Sequence, residues 1–227
     1  GKLDEFRKML SLENHPDIQI GKHCSSPYGC PFADHCWSWI PEHSIFNIPG
    51  LRWPTKQKLL KEKLVEIDKL PKDFPLNEKQ QRYRDSLKKG KAIIDWNAIK
   101  DKLSKLEYPL YFLDFETDNP AIPRFDGMHP YEQFPFQYSC HIIDKSGKVT
   151  HKEFLHVSEK DPGKALAKSL TKAIGKKGTV IAYNAPFERW MLRGLSKRFP
   201  DHETALDSIA DRLWDQLVIF RNHYTDY

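Results

Sequence analysis

Leu110-Tyr111-Phe112-Leu113-Asp114-Phe115-Glu116-Thr117 is the stretch from which the fold can be read. Its first part is continuously apolar, as a central strand buried on both faces requires. Two carboxylates then interrupt it. Side chains alternate faces along a strand, so Asp114 and Glu116 point the same way, roughly 7 Å apart. Carboxylates at the end of an apolar strand are costly unless paired or bound to a cation. Two hard oxygen donors at that separation suit Mg²⁺ or Mn²⁺, which bind through a few carboxylates, water and substrate phosphate.

Downstream, residues 136–143 and 149–157 read as two more strands, joined by Asp144-Lys145-Ser146-Gly147-Lys148 with the glycine a short hairpin needs. Asp161 and Pro162 supply a helix cap and a first-turn proline, and Leu166, Leu170 and Ile174 line that helix as far as Gly175. Residues 179–183 form a short strand and Pro186 opens the next helix. Residues 203–224 read as one long helix with Leu206, Ile209, Leu213, Leu217 and Phe220 inward. Three strands, helix, strand, helix, helix is the order of an α/β sheet covered by helices. A proline-rich loop, residues 119–135, leaves the carboxyl end of the first strand.

Upstream the pattern is helical. Residues 3–11 are a short helix candidate, followed by a loop with three cysteines. A helix over residues 55–70 would place Leu59, Leu60, Leu64 and Ile67 on one face. After Pro71 and Pro75, Asn77 caps a helix that Gly90 closes, and Asp95 caps another carrying Trp96, Ile99, Leu103 and Leu106. The expected division is residues 1–107, a small α-helical, cysteine-containing module and connector, and residues 108–227, the sheet domain.

The second acidic segment is Ala182-Tyr183-Asn184-Ala185-Pro186-Phe187-Glu188. Glu188 falls in the first turn of a helix, where the dipole alone favours a negative charge. In a parallel sheet, however, that strand end brings Glu188 beside Asp114 and Glu116, in the usual crevice for ligands. Three converging carboxylates repel unless cations neutralise them. Two metals about 3.5–4 Å apart do so, and there they activate water and stabilise the leaving oxygen in phosphodiester hydrolysis. Asp207, Asp211 and Asp215 are spaced as the solvated face of the last helix; Asp215 is the one internal stand-in for a further metal ligand. Asp118, read as a loop residue, is a weaker alternative. Tyr183, Asn184, Arg124 and His129 are the candidates for substrate contact.

Asp114-x-Glu116 on a strand, followed by Asn184-x-x-Phe187-Glu188 at a strand-to-helix junction, resembles the first two motifs of DEDD-type 3′–5′ exonucleases. Glu188 stands where Asp is commoner. The fuller run from Phe112 to Pro120, with the Pro/Tyr-rich stretch to Gln137, is similar to a bacterial uncharacterised family carrying this exonuclease-like domain, over essentially the whole chain. The resemblance implies an RNase H-like mixed sheet flanked by helices. It implies metal ligation by Asp114, Glu116 and Glu188, and a fourth carboxylate from a Tyr-x-x-x-Asp element further on. No such element follows Glu188. The domain is therefore expected to be truncated at its C-terminus, with weak or no activity as it stands.

Cys24, Cys30 and Cys36 are evenly spaced, five residues between each. Three thiols in one loop suit a metal or cluster better than disulfides, which need pairs and an oxidising compartment. Tetrahedral Zn²⁺ with His23, His35 or His43 as fourth ligand is one option, and a [4Fe–4S] cluster, normally held by four Cys, is the other. The run from Ile20 to Trp37 resembles the cysteine-rich end of iron–sulfur PD-(D/E)XK nucleases, including CRISPR-associated and recombination-repair ones. That resemblance implies three of four cluster ligands, the fourth lying upstream. Cys140, on a core strand, reads as a small buried residue.

With 39% hydrophobic and 30% charged residues the chain is globular in composition, and no run of about 18 apolar residues or signal-like opening is present. Residues 1–107 hold 20 Lys and Arg against 15 Asp and Glu, whereas residues 108–227 hold 16 of each. A basic half beside a neutral, carboxylate-bearing half suits a protein that holds a polyanion and cuts it, although Lys-rich helices are also simply solvated faces. The first residue is Gly, as expected of a piece of something longer. The expectation is a cytoplasmic metal-dependent nuclease module, acting on DNA in preference to RNA with no membrane partner, fused to further domains of a nucleic-acid-processing protein. The alternative is a catalytically silent module that binds nucleic acid or a partner with the same fold.

Overall fold

The computed structural model describes all 227 residues and divides into two units, residues 1–92 with 226–227 and residues 93–225. The first unit contains helices α1 (Lys2–Leu10), α2 (Ala33–Trp37), α3 (Trp53–Lys61) and α4 (Glu78–Lys89). Its core gathers Ile45, Ile48, Leu59, Ile67, Leu70 and Tyr83. The α4 caps follow the sequence. Asn77 Oδ1 accepts the Gln80 N–H at 2.9 Å, Gln80 Oε1 accepts the Asn77 N–H at 3.1 Å, and Gly90 is left-handed at φ 58°. The helix expected over residues 55–70 instead stops at Lys61. Lys63 turns left-handed (φ 57°), the Leu64 N–H returns to the Leu59 carbonyl, and the Ile45 N–H bonds the Val65 carbonyl at 2.8 Å. A backbone bond to another segment displaces the helical one, so Ile67 reaches the core from a separate short turn.

The second unit runs β1 (Ile93–Ile94), α5 (Trp96–Leu103), β2 (Leu110–Asp118), β3 (Phe134–Ile143), β4 (Val149–Leu155), α6 (Gly163–Ala173), β5 (Thr179–Ala182), α7 (Pro186–Arg198), α8 (Glu203–Asp211), β6 (Leu213–Asp215), α9 (Gln216–His223) and β7 (Tyr224–Thr225). Its five-stranded sheet is ordered β4-β3-β2-β5-β6. The β2–β3 and β3–β4 pairs are antiparallel, and β2–β5 and β5–β6 are parallel. The fold is thus mixed α/β, with β2 central. Leu113, Phe115, Tyr138, Cys140 and Val180 meet Leu166 and Leu170 of α6, Leu192 of α7, and Leu206 and Ile209 of α8. Cys140 is buried, and burial pushes its thiol up to about 12. β2 is buried on both faces only at its start: beyond Leu110, Phe112 is half-buried and Asp114 and Glu116 are exposed on the face opposite Leu113 and Phe115.

The long helix expected over residues 203–224 is broken into α8, β6 and α9. Arg212 ends α8. Its guanidinium donates to the carbonyls of Gly175 (2.7 Å), Gly178 (2.9 Å) and Ser208 (3.1 Å), tying this point to the turn before β5. Leu213, Trp214 and Asp215 then pair in parallel with Val180, Ile181 and Ala182. The open edge of β5 offers ladder hydrogen bonds, and three residues leave the helical period to take them. As a consequence Phe220 is exposed rather than inward.

The division falls between Ala92 and Ile93 rather than at 107/108, because Ile93 and Ile94 pair with Thr225 and Tyr224 and α5 packs on α9. Asp95 caps α5 as expected, its Oδ1 accepting the Ala98 N–H at 3.0 Å. No helix is long and apolar enough to cross a membrane.

Candidate active site

Period-two alternation places Asp114 and Glu116 on the exposed side of β2, and the N-terminal turn of α7 supplies Glu188. Pro at N1 of α7 sets its first turn, so the third helical residue, Glu188, enters beside the strand ends. It is only 3% exposed, and its Oε2 has no hydrogen-bond partner. Burial raises the Glu188 carboxyl to about 7; a bond from its own backbone opposes this, and the charges of Asp114 and Asp215 add to the rise. The sheet therefore brings Asp114, Asp215 and Glu188 into one electrostatic neighbourhood.

Asp215 has a more specific place than its spacing in sequence suggested. It ends β6, and its Oδ1 accepts the N–H of Leu217 at 2.9 Å and that of Asn184 at 3.1 Å. It caps α9 and also pins the turn between β5 and α7, where Asn184 is left-handed at φ 69° and its carbonyl accepts the Phe187 N–H. Asp207 and Asp211, by contrast, are both engaged by Arg193. The sequence marked Asp215 only as a stand-in metal ligand and did not show that it pins this turn. The signal that would have is Asn184, a residue tolerant of the left-handed turn that needs an acceptor for its N–H.

Tyr183 and Asn184 border this crevice and are exposed. Arg124 is engaged by Asp118 at 2.9 Å. Asp118 is the last residue of β2 rather than a loop residue, and with Arg124 it lines a cavity of about 480 Å³ walled by Phe125, Phe134 and Phe136. His129 is exposed, its backbone N–H bonded to Glu132 within the loop.

The carboxylates have the hard-oxygen chemistry of a Mg²⁺ or Mn²⁺ site, and an unsatisfied buried carboxylate oxygen is what such an ion would take up. Their side chains are not drawn into a ready-made cage: no group of three or more His, Cys, Asp or Glu stands close enough to hold a metal ion. The same holds for Cys24, Cys30 and Cys36, which are half-buried free thiols. Cys24 Sγ accepts the Gly21 N–H, His35 lies against His15 and His43 against Tyr227. The thiols and imidazoles do not converge on a zinc or cluster site. No curated protein and no solved structure matches the chain. Residues 111–227, which include every carboxylate of the crevice, match the family described as Domain of unknown function (DUF2779), and the chain belongs to that family.

Proposed function

We propose that the second unit is an RNase H-like, DEDD-type domain, a metal-dependent 3′–5′ exonuclease-like module that hydrolyses phosphodiester bonds of DNA or RNA in a larger nucleic-acid-processing protein. One observation carries the reading: the buried, unsatisfied Glu188 carboxyl set between the charges of Asp114 and Asp215 at the strand ends. A buried carboxyl with a raised pKa and acidic neighbours in a crevice is a functional-site candidate on physical grounds. The antiparallel β4-β3-β2 half joined to a parallel β2-β5-β6 half supports the RNase H-like reading.

Asp114, Glu116 and Glu188 would hold the divalent cations, which when bound supply the positive charge that phosphodiester hydrolysis needs at the attacked phosphate and leaving oxygen. Glu188 must lose its proton to act as a hard ligand, which favours the loaded site as pH rises through about 7. Asp215 holds the Asn184 turn and so fixes where α7 begins. Tyr183 and Asn184 lie where substrate would pass.

The test is Mn²⁺-dependent shortening of end-labelled single-stranded oligonucleotides by the full-length parent protein. Asp114→Ala should remove at least 99% of the rate, about 2.7 kcal/mol or more of transition-state stabilisation; full activity in that variant would sink the assignment. The absence of a preassembled metal cage favours a second reading, a binding module without catalysis. In that case oligonucleotide binding would be salt-sensitive but indifferent to Mn²⁺ and to Glu116→Ala.

A further inference from the structure

Tyr183, Phe220 and Tyr224 form a row of rings at the edge of the crevice. Tyr183 to Phe220 is 6.4 Å between centroids and Phe220 to Tyr224 is 6.3 Å. All three are exposed, by 61%, 46% and 38%. The row begins one residue before Asn184, whose N–H is fixed by Asp215. Its other end lies where α9 passes into β7. On α9, Ile219 is buried while Phe220 and Arg221 beside it face solvent. The break in the expected long helix is what turns Phe220 outward.

We propose that Tyr183, Phe220 and Tyr224 are a stacking track for the unpaired bases of a single nucleic-acid strand, leading its end to the carboxylates. The proposal rests on the nuclease reading above, because it delivers that site's substrate. Residues 108–227 carry no net excess of positive charge, so net charge alone does not hold a polyanion to this half. Base–aromatic stacking is a chemistry that adds to single-strand binding independently of net charge, at roughly 1–3 kcal/mol per base. The rings meet tilted (54°) and edge-to-face (68°), so the row is held in place by aromatic contacts while staying exposed. The bases of a duplex are already stacked on each other, and only an unpaired end can use such a row.

The experiment is equilibrium binding of the 227-residue chain to a short thymidine oligonucleotide with 2-aminopurine at its 3′ end, in EDTA so that no cutting occurs. Binding should quench the 2-aminopurine, and a blunt duplex should bind more weakly. Phe220→Leu and Tyr183→Leu should each weaken binding roughly tenfold and relieve the quenching, whereas Phe220→Trp should keep both. Phe220→Trp also keeps the test valid should the leucine variants melt early. Unchanged affinity and quenching in the leucine variants, equal affinity for duplex, or no binding by the wild type would each overturn the track. So would a dimer that Phe220→Leu dissociates without any oligonucleotide binding, which would make the row a contact between copies of the chain. The two readings fail separately. Quenching by this chain without Mn²⁺-dependent cutting by the full-length parent removes the nuclease and leaves the track; cutting by the parent with binding unaltered in the leucine variants does the reverse.

Discussion

Glu188 combines burial, a missing hydrogen-bond partner and two acidic neighbours. Its carboxyl is raised to about 7 in the folded chain from an ordinary 4.5. The native state therefore holds a proton that the unfolded chain gives up between those values, and folding stability falls as pH rises through that window. Glu188→Gln should be near neutral at pH 4 and stabilising at pH 8, by on the order of 2–3 kcal/mol at most. Urea midpoints at the two pH values measure this, and equal effects at both would refute it. Asp114 and Glu116 were legible in sequence because alternation is a local rule that needs no tertiary knowledge. The role of Asp215 was not, because its partners are backbone N–H groups of Asn184 and Leu217, which the side-chain pattern does not reveal.

At the level of elements, the strands and helices with their own period were readable, down to the Asn77 and Asp95 caps. The exceptions are those that a distant backbone imposes. β6 is three residues inside a helical pattern, and only the edge of β5 makes it a strand. The turn before β5 is similarly dictated from afar. Gly178 has φ 96°, and a Cβ there would overlap the Pro109 carbonyl. Gly178→Ala should cost about 2 kcal/mol or more. Gly194, inside α7 with nothing within 4 Å of a Cβ, is the control; Gly194→Ala should stabilise by about 0.5–1 kcal/mol. Thermal melts of the pair report both signs, and a neutral Gly178→Ala would show that the turn relaxes.

For the whole molecule, the α/β class was legible from element order, but the seam was not. The change from helical to strand period at residue 108 suggested a boundary, whereas β1 and α5 belong with the sheet unit through β7 and α9. A polypeptide of residues 93–225 should melt in one cooperative transition. One of residues 108–225 should melt lower by several degrees, having lost the β1–β7 ladder and the α5–α9 contact. Identical melting curves would place the seam at 108 after all.

The strand order also sets a sequence of events in time. β3 and β4 are joined by five residues, so that hairpin closes cheaply and early. The β2–β5 pairing joins segments about seventy residues apart, a far more expensive loop to close. Asp114 lies on one side of that closure, with Glu188 and Asp215 on the other. Pulse-labelled amide exchange during refolding should therefore protect β3 and β4 before β5 and β6. On that order the crevice would be the late-born part of the protein, assembled only after the sheet that carries it has chosen its partners.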